Sequence, residues 1–232
     1  MMIPAGTAQA AFRFAQTNVS NAVGRQAEAA IAADPANPQV LLAASNSGVV
    51  RGGNFRVSAL AYGSTDGGAT WARTEPVPPD NGNCDYGDPA PGIGLDGAQH
   101  LATLVAPCDL SGAREDETVA LVVSSRSGPA APWTTSLVSE ADSLFNDKPT
   151  LAVDVGTASA DRGRIYVAWS LSGPDARAFS VVVARSDDGG STWSAPVRVS
   201  HAGLRHSPEQ FVSLAVDAAG TLFVAWGTGV RD

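Results

Sequence analysis

The sequence has few charged and few aromatic residues. Of its 232 residues, 16% are charged and 6% aromatic, whereas 44% are hydrophobic, and it contains 24 Gly and 15 Pro. The hydrophobic fraction excludes intrinsic disorder, and no apolar run approaches the ~20 residues that a membrane-spanning helix needs. Abundant Gly and Pro beside few charges are typical of a turn-rich β protein.

Basic residues are scarce as well. The formal net charge is −8, which excludes nucleic acid as an expected partner because the chain repels a phosphate backbone. Lys148 is the only lysine, which we interpret as a result of genomic base composition. The three histidines, at positions 100, 201 and 206, show no metal-ligand spacing with the cysteines. We expect no metal or other cofactor, with a structural or channel-bound calcium ion as the alternative.

Residues 1–24 are predicted to form an N-terminal segment outside the domain. The segment lacks a basic stretch followed by an apolar core of roughly 7–15 residues, so no intact secretory signal is present. The small residues that start at Ala5 resemble the end of such a signal.

The only two cysteines, Cys84 and Cys108, lie almost symmetrically about Asp96-Gly97, which is a strong hairpin signal. A two-residue turn there leaves the cysteines one residue out of register, and a single β-bulge corrects the offset. We predict a disulfide, with two buried free thiols as the alternative. A disulfide places the protein in an extracellular or periplasmic compartment.

Internal repetition is the most informative feature. Residues 64–71 (STDGGATW) recur 122 residues later as residues 186–193 (SDDGGSTW), and a degenerate copy at 125–133 (SRSGPAAPW) retains the Ser and the Trp but loses the Asp. These spacings indicate a unit of about 61 residues. The residues that recur in the two full copies are Ser64, Asp66, Gly68 and Trp71, and Ser186, Asp188, Gly190 and Trp193.

A second signature runs in step with the first. Apolar runs end at Asp34, Asp96, Asp154 and Asp217, and each is followed by a turn and another apolar run. Each unit therefore predicts four short strands; in the third unit they are Pro149–Asp154, Arg164–Ser170, Phe179–Ser186 and Trp193–Ser200. Four-stranded units at this period predict an all-β propeller with about three and a half antiparallel blades within residues 25–232, over residues 25–80, 84–140, 146–200 and, in part, 207–232.

The octapeptides resemble the Asp-box, or bacterial neuraminidase repeat, of the sialidase superfamily. The resemblance implies that each box is the turn between the third and fourth strands of a blade, on the face away from the substrate. Asp66 and Asp188 are then structural, because their carboxylates accept backbone N–H groups of the turn. We expect Trp71, Trp133 and Trp193 to be equivalent and largely buried.

The active-site motifs of that superfamily are missing or altered. The stretch Phe12-Arg13-Phe14-Ala15 lacks the proline that follows the first arginine of the sialidase triad. The predicted loop Asn46–Asn54, where the superfamily places its acid Asp, has no carboxylate. We therefore assign no catalytic residue and expect no sialidase activity from this chain alone.

Acidic residues instead stand just before each predicted first strand, at Glu28, Asp88, Asp147 and Glu209. We expect them to ring the mouth of the central channel and to bind a cation or sugar hydroxyls, or to act as an acid–base pair. Solvated turn carboxylates are the alternative. Arg25 and Arg205 lie in similar loops and are candidates for binding an anionic glycan.

Two functions follow from these observations. The first is a secreted, carbohydrate-active, exo-glycosidase-like propeller with a divergent or incomplete site in this chain. The second is a non-catalytic propeller that binds a glycan or a protein. The expected partners are a small ligand at the channel mouth and further C-terminal blades of the same protein, with no membrane partner.

The disulfide is testable by peptide mass mapping. Digestion without reductant is expected to yield one peptide pair that contains Cys84 and Cys108 and separates after reduction. A disulfide that closes this loop would stabilise the folded state by ~3–4 kcal/mol. Recovery of both cysteines as separately alkylated peptides from the unreduced protein would disprove the bond.

Overall fold

A computed structural model describes residues 16–22, 24–51, 54–76, 83–107, 119–140, 145–172, 179–200 and 209–228. Within these ranges the regular secondary structure consists of fourteen β-strands. No helix there is long and apolar enough to cross a membrane.

The strands form four antiparallel sheets in chain order. The first contains β1 (Gln26–Ala33), β2 (Leu41–Arg51), β3 (Asn54–Ser64) and β4 (Ala72–Arg73), and the second contains β5 (Asn83–Ile93), β6 (Gln99–Pro107), β7 (Ala120–Arg126) and β8 (Thr134–Ser139). The third contains β9 (Phe145–Val153), β10 (Ile165–Ser172), β11 (Phe179–Ser186) and β12 (Val197–Arg198), and the fourth has only β13 (Glu209–Val216) and β14 (Leu222–Thr228).

The first strands of the sheets, β1, β5, β9 and β13, contact one another in that order. Each sheet is a meander that leads outward from its first strand. The sheets are therefore blades around a common axis, which confirms the predicted β-propeller with about three and a half blades. The region 46–54 is largely strand rather than the predicted loop, because β2 extends to Arg51 and β3 begins at Asn54.

Apolar side chains hold neighbouring blades together. Leu42 and Ala61 of the first blade pack with Leu101 of the second, and Leu104 of the second blade shares a cluster with Trp169 of the third. Tyr166 of the third blade lies in the cluster that covers the fourth. Burying such side chains contributes roughly 1.5–3 kcal/mol each, so inter-blade contacts supply much of the stability.

Position in the series decides how a strand is buried. The segments 165–169 (IYVAW) and 222–226 (LFVAW) are almost identical. Tyr166 is 7% exposed because blades flank β10 on both sides, whereas the equivalent Phe223 is 56% exposed.

The two full octapeptides fold into the same turn between the third and fourth strands. Ser64 Oγ donates to Asp66 Oδ1 (2.8 Å) and accepts from Gly68 N (2.9 Å), and Thr70 N donates to Asp66 Oδ1 (2.9 Å). Ser186 and Asp188 make the matching bonds. Hydrogen bonds from Thr70 and Thr192 lower the pKa of Asp66 and of Asp188 to about 2.

The degenerate copy replaces this network. Ser125 stands where Ser64 and Ser186 stand in the full copies, and its Oγ lies 2.8 Å from Nδ1 of His100. Burial lowers the pKa of His100 to about 4, so the imidazole is neutral at neutral pH.

The three tryptophans after the turns are partly exposed, but most of each residue's surface is covered, in agreement with the expectation that they are largely buried. Trp133 Nε1 donates to Thr74 O (2.6 Å), and Trp193 Nε1 donates to Ser136 Oγ (2.9 Å). Both partners belong to the outer part of the preceding blade. Trp71 belongs to the first described blade, and its Nε1 donates to Gly68 O of its own turn (3.0 Å).

The hairpin at Asp96-Gly97 differs in register from the prediction. Ile93 pairs with Gln99, and two irregularities in β5 then shift the ladder so that Cys84 lies opposite Ala106. Cys108 lies outside the described residues, and the disulfide stays a prediction.

A buried carboxyl joins the first two blades. Asp85 on β5 accepts from Ala59 N on β3 (2.5 Å) and from Gly87 N (2.9 Å). It lines a small cavity of about 20 Å³ together with Glu75 and Thr103. Burial, together with the negative charge of Glu75, raises the pKa of Asp85 to about 7.

Replacing Trp193 tests the contact between the second and third blades. Trp193 packs against the apolar cluster between these blades, so Trp193→Ala is expected to lower the free energy of unfolding by ~2–3 kcal/mol, less than the ~3–5 of a fully buried Trp. Trp71→Ala is the matched control, because its indole bonds within its own turn, and its effect is expected to be about half. Urea unfolding measures both, and equal losses would contradict an inter-blade role.

Replacing Asp85 tests the buried carboxyl. Because its pKa is higher in the folded than in the unfolded chain, the folded state binds more protons between about pH 4 and pH 7, and stability falls as pH rises through that window. Asp85→Asn removes this loss, so the variant is expected to gain stability relative to the unsubstituted protein as pH rises, by at most ~4 kcal/mol. Urea unfolding at several pH values checks it, with Asp187→Asn as the exposed control. If the free energy of unfolding of Asp85→Asn ran parallel to that of the unsubstituted protein between about pH 4 and pH 7, the prediction would be contradicted.

Candidate functional site

Every first strand is interrupted by a bulge at one residue with left-handed backbone. These residues are Glu28, Asp88, Lys148 and Phe211, with φ of 55°, 51°, 50° and 59°. The ladder of each blade shifts register at the same place. A positive φ is uncommon for residues other than Gly, so its recurrence marks four equivalent positions around the axis.

This equivalence corrects the expected ring of carboxylates. Asp147 and Glu209 precede the bulge residues of their blades by one and two positions. Asp147 accepts from Gln210 Nε2 (2.7 Å). Glu209 is buried, and among the described residues its Oε2 has no hydrogen-bond partner. For Asp147 the one-residue shift turns the side chain to the other face of the strand. Glu209, two positions before its bulge residue, is buried instead, so the predicted set does not converge.

Three of the four bulge residues do converge. Lys148 Nζ forms an ion pair with Glu28 and lies 3.5 Å from Asp88 Oδ1. Asn46 on β2 donates from Nδ2 to Glu28 Oε2 (2.7 Å) and to Asp88 Oδ1 (2.9 Å), and its Oδ1 accepts from Asp88 N (2.7 Å). These four residues, from three blades, form what we call the axial cluster.

Gly87 allows this close approach. Its φ is 101°, and a Cβ there would lie 2.6 Å from Asn46 Oδ1 and 2.8 Å from Val57 Cγ1. Any other residue would displace Asn46, which bridges the two carboxylates.

The three charged residues of the axial cluster line an open cleft of about 350 Å³. Charged groups from Glu28, Asp88 and Lys148 form part of the lining, and Pro89, Pro149, Phe211 and Val212 add apolar surface. The exposed fractions of the Glu28, Lys148 and Asp88 side chains are 44%, 29% and 14%. A cleft with an apolar surface and a few converging polar groups is the usual form of a small-ligand site.

The cluster separates the pKa values of its two carboxyls. A hydrogen bond with Asp88, together with burial, raises the pKa of Glu28. Burial opposes ionisation of Asp88, but hydrogen bonds from Glu28 and Asn46 and the charge of Lys148 outweigh it and lower the pKa of Asp88. Burial and the charge of Asp88 raise the pKa of Asp147.

The cation of the cluster is held charged by its neighbours. Burial alone would favour neutral Lys148, but the hydrogen bond with Glu28 and the charges of Asp88, Glu28 and Asp147 outweigh it and raise the pKa of Lys148.

The predicted basic and metal-binding features contribute little to the described cleft. Arg25 is exposed, and its backbone carbonyl accepts from Gly48 N (3.2 Å). Arg205, His201, His206 and residues 12–15 lie outside the described residues. In the described ranges, no three His, Cys, Asp or Glu side chains gather in a way that could hold a metal ion.

Sequence reasoning missed Asn46 and Lys148. The signal for Lys148 was present: Asp88-Pro89 and Lys148-Pro149 are 60 residues apart, and aligning the prolines places Lys148 opposite Asp88. Proline in strands is largely confined to edges and bulges, so these prolines mark the bulge. No comparable sequence signal singles out Asn46, because the contact depends on how two blades pack.

The axial cluster and the octapeptide turns lie at opposite ends of the blades. In each blade the bulge lies in the first half of the inner strand. The turn that follows the inner strand lies at the opposite end of the blade, and the octapeptide turn between the third and fourth strands lies at that same end. The cleft is thus separated from the carboxylates of Asp66 and Asp188.

No model of a protein family matches the sequence, and no curated protein matches it. Among solved structures, the chain is similar to the Hadza microbial sialidase Hz136 (17% identity, TM-score 0.62) over 87% of this chain and 42% of that one. It is similar to the leech intramolecular trans-sialidase complexed with 2,7-anhydro-Neu5Ac (13% identity, TM-score 0.62) over 93% of this chain and 50% of that one. It is also similar to Penicillium chrysogenum α-L-arabinanase complexed with arabinobiose (18% identity, TM-score 0.61) over 92% of this chain and 60% of that one.

The chain spans about half the length of these structures. Its blades superpose on two kinds of propeller glycosidase, sialidases and an arabinanase. The chain therefore has the sialidase-like β-propeller fold.

Proposed function

We propose that this chain carries the carbohydrate-binding cleft of a glycosidase-like propeller. The observation that carries the proposal is the axial cluster, in which the same backbone bulge in three blades brings Glu28, Asp88 and Lys148 to one cleft. The cleft supplies charged hydrogen-bonding groups for sugar hydroxyls and apolar surface for a sugar face. Fold similarity to propeller glycosidases supports the same class of ligand.

Cleavage of a glycosidic bond needs one carboxyl that gives a proton and one that stays ionised. The cluster offers such a pair, because environments that separate two pKa values set acid and base roles. Asp88 is the ionised carboxylate, and Glu28 is the group of the pair that accepts a proton first as pH falls. We propose these roles for hydrolysis, with Asp147 beside the pair as a second group with a raised pKa.

The second candidate is a propeller that binds a glycan without cleaving it. The observation that favours it is Lys148, whose ammonium group is paired with both carboxylates and so competes with a leaving-group oxygen for Glu28. Binding without turnover distinguishes this candidate from the first.

We further propose that the propeller is completed by further blades of the same protein and that the protein is secreted. Phe223 of the fourth blade is 56% exposed. Exposed large apolar side chains on a sheet face favour a covering neighbour. The predicted disulfide supports an oxidising compartment. Sequencing of the transcript and fractionation of the source cells test the two statements.

Binding is tested by titration calorimetry with arabinobiose and by a glycan array, using the purified chain and Asp88→Asn. Asp88→Asn is expected to weaken binding at least tenfold, since a charge-assisted hydrogen bond is about twice as strong as a neutral one. Asp187→Asn, at the opposite end of the blades, is the matched control and should bind as the unsubstituted chain does. Equal binding by all three proteins would remove Asp88 from the site.

Sialic acid release is expected to be absent. Within the described part of the chain, no arginine lines the cleft, so a sialate carboxylate lacks a bidentate guanidinium partner. A fluorogenic sialoside measures this directly. Turnover above buffer that a sialate transition-state analogue abolishes would overturn the expectation.

A further inference from the structure

We infer that the cleft selects uncharged glycans over anionic ones and that Glu28 enforces this selection. The inference rests on the proposed carbohydrate-binding function and adds the charge class of the ligand and the residue that sets it. It starts from the charge balance of the axial cluster, in which two carboxylates face one ammonium group.

The ammonium group of Lys148 is already engaged. It pairs with Glu28 from the first blade and with Asp88 from the second, while the backbone N–H of Lys148 faces Asp88 Oδ2 at 3.4 Å. An anionic sugar that approached Lys148 would have to displace a carboxylate held in place by Asn46. It would also face the remaining negative charge, and juxtaposed like charges are strongly unfavourable.

No second cation offsets this balance in the described part of the cleft. Its charged lining consists of Glu28, Asp88 and Lys148, and Asp147 adds negative charge close to Lys148. Lys148 is the only lysine of the chain. The local charge at a pH above the pKa of both cluster acids is therefore net negative.

Glu28 is the residue that decides the selection. Its side chain is the most exposed of the three, at 44%, and it contacts Lys148, Asn46 and Asp88 within the cluster. Asp88, by contrast, is 14% exposed and is bonded to the backbone of the third blade. Replacing Glu28 with Gln keeps an acceptor for Asn46, removes one negative charge and leaves Lys148 with a single partner.

The experiment compares four proteins on a glycan array at pH 8 that displays neutral arabinosyl and galactosyl oligosaccharides, oligogalacturonates and their methyl esters. The methyl esters are the matched control, because they differ from the uronates chiefly in charge. The unsubstituted chain is expected to bind neutral and esterified glycans at least ~10-fold better than the uronates, which corresponds to about 1.4 kcal/mol.

Glu28→Gln is expected to reduce that ratio to less than threefold by gaining uronate binding. The double variant Glu28→Gln/Lys148→Met is expected to lose the gain, because the ammonium group that Glu28→Gln leaves paired with Asp88 alone is gone. Lys148→Met alone is expected to bind no uronate. Thermal unfolding monitored by circular dichroism confirms that each variant is folded before it is scored.

A spectroscopic readout locates the effect. Isotope-labelled lysine gives one side-chain NMR signal in this chain, since Lys148 is the sole lysine. Adding digalacturonate is expected to move that signal in Glu28→Gln and to leave it in place in the unsubstituted chain.

The outcomes separate the two proposals. If the unsubstituted chain binds uronates as well as their methyl esters, or if Glu28→Gln leaves the ratio unchanged, the charge selection is wrong and the carbohydrate-binding function stands. If none of the glycans binds to the unsubstituted chain or to Glu28→Gln, both proposals fail.

Discussion

The site depends on one backbone constraint, the left-handed bulge that interrupts every inner strand. An uninterrupted strand turns alternate side chains toward the two neighbouring blades and leaves none for the axis. The extra residue at the bulge breaks this alternation, and its side chain reaches the centre. Because the bulge recurs in each blade, residues about 60 positions apart meet, and Glu28, Asp88 and Lys148 form one cluster. A positive φ at a residue with a side chain is unfavourable, and the cross-blade bonds of the cluster offset this cost.

The blade architecture could be read from the sequence because it is carried by local signals. The octapeptides, the aspartates after apolar runs and the near-identical segments at 165–169 and 222–226 each report a turn or a strand within a few residues. The site could be read only in part. The place before the first strands predicts Glu28 and Asp88 correctly, but it predicts Asp147 where Lys148 occupies the equivalent position, because the acidity of a residue does not indicate the register of a bulge.

Three further features lay beyond sequence reasoning for one physical reason. The bridge made by Asn46, the indole bond of Trp193 to Ser136 and the pairing of Cys84 with Ala106 all depend on small offsets between strands or blades. Apolar patterning specifies which face of a strand is buried and says little about an offset of two residues, since such an offset returns every side chain to the same face. Offsets of this kind are set by bulges, whose positions only Pro89 and Pro149 indicate.

The indole bonds of the turns give the series of blades a direction. Trp133 and Trp193 each reach back to the blade made before their own, and the described turns hold no such bond toward the blade that follows. When a blade leaves the ribosome, the preceding blade that accepts its indole hydrogen bond has already been synthesised. The tryptophan of a finished blade therefore has its hydrogen-bond partner before the next blade is made. Assembly of the propeller can thus proceed during synthesis, in the order in which the blades are translated.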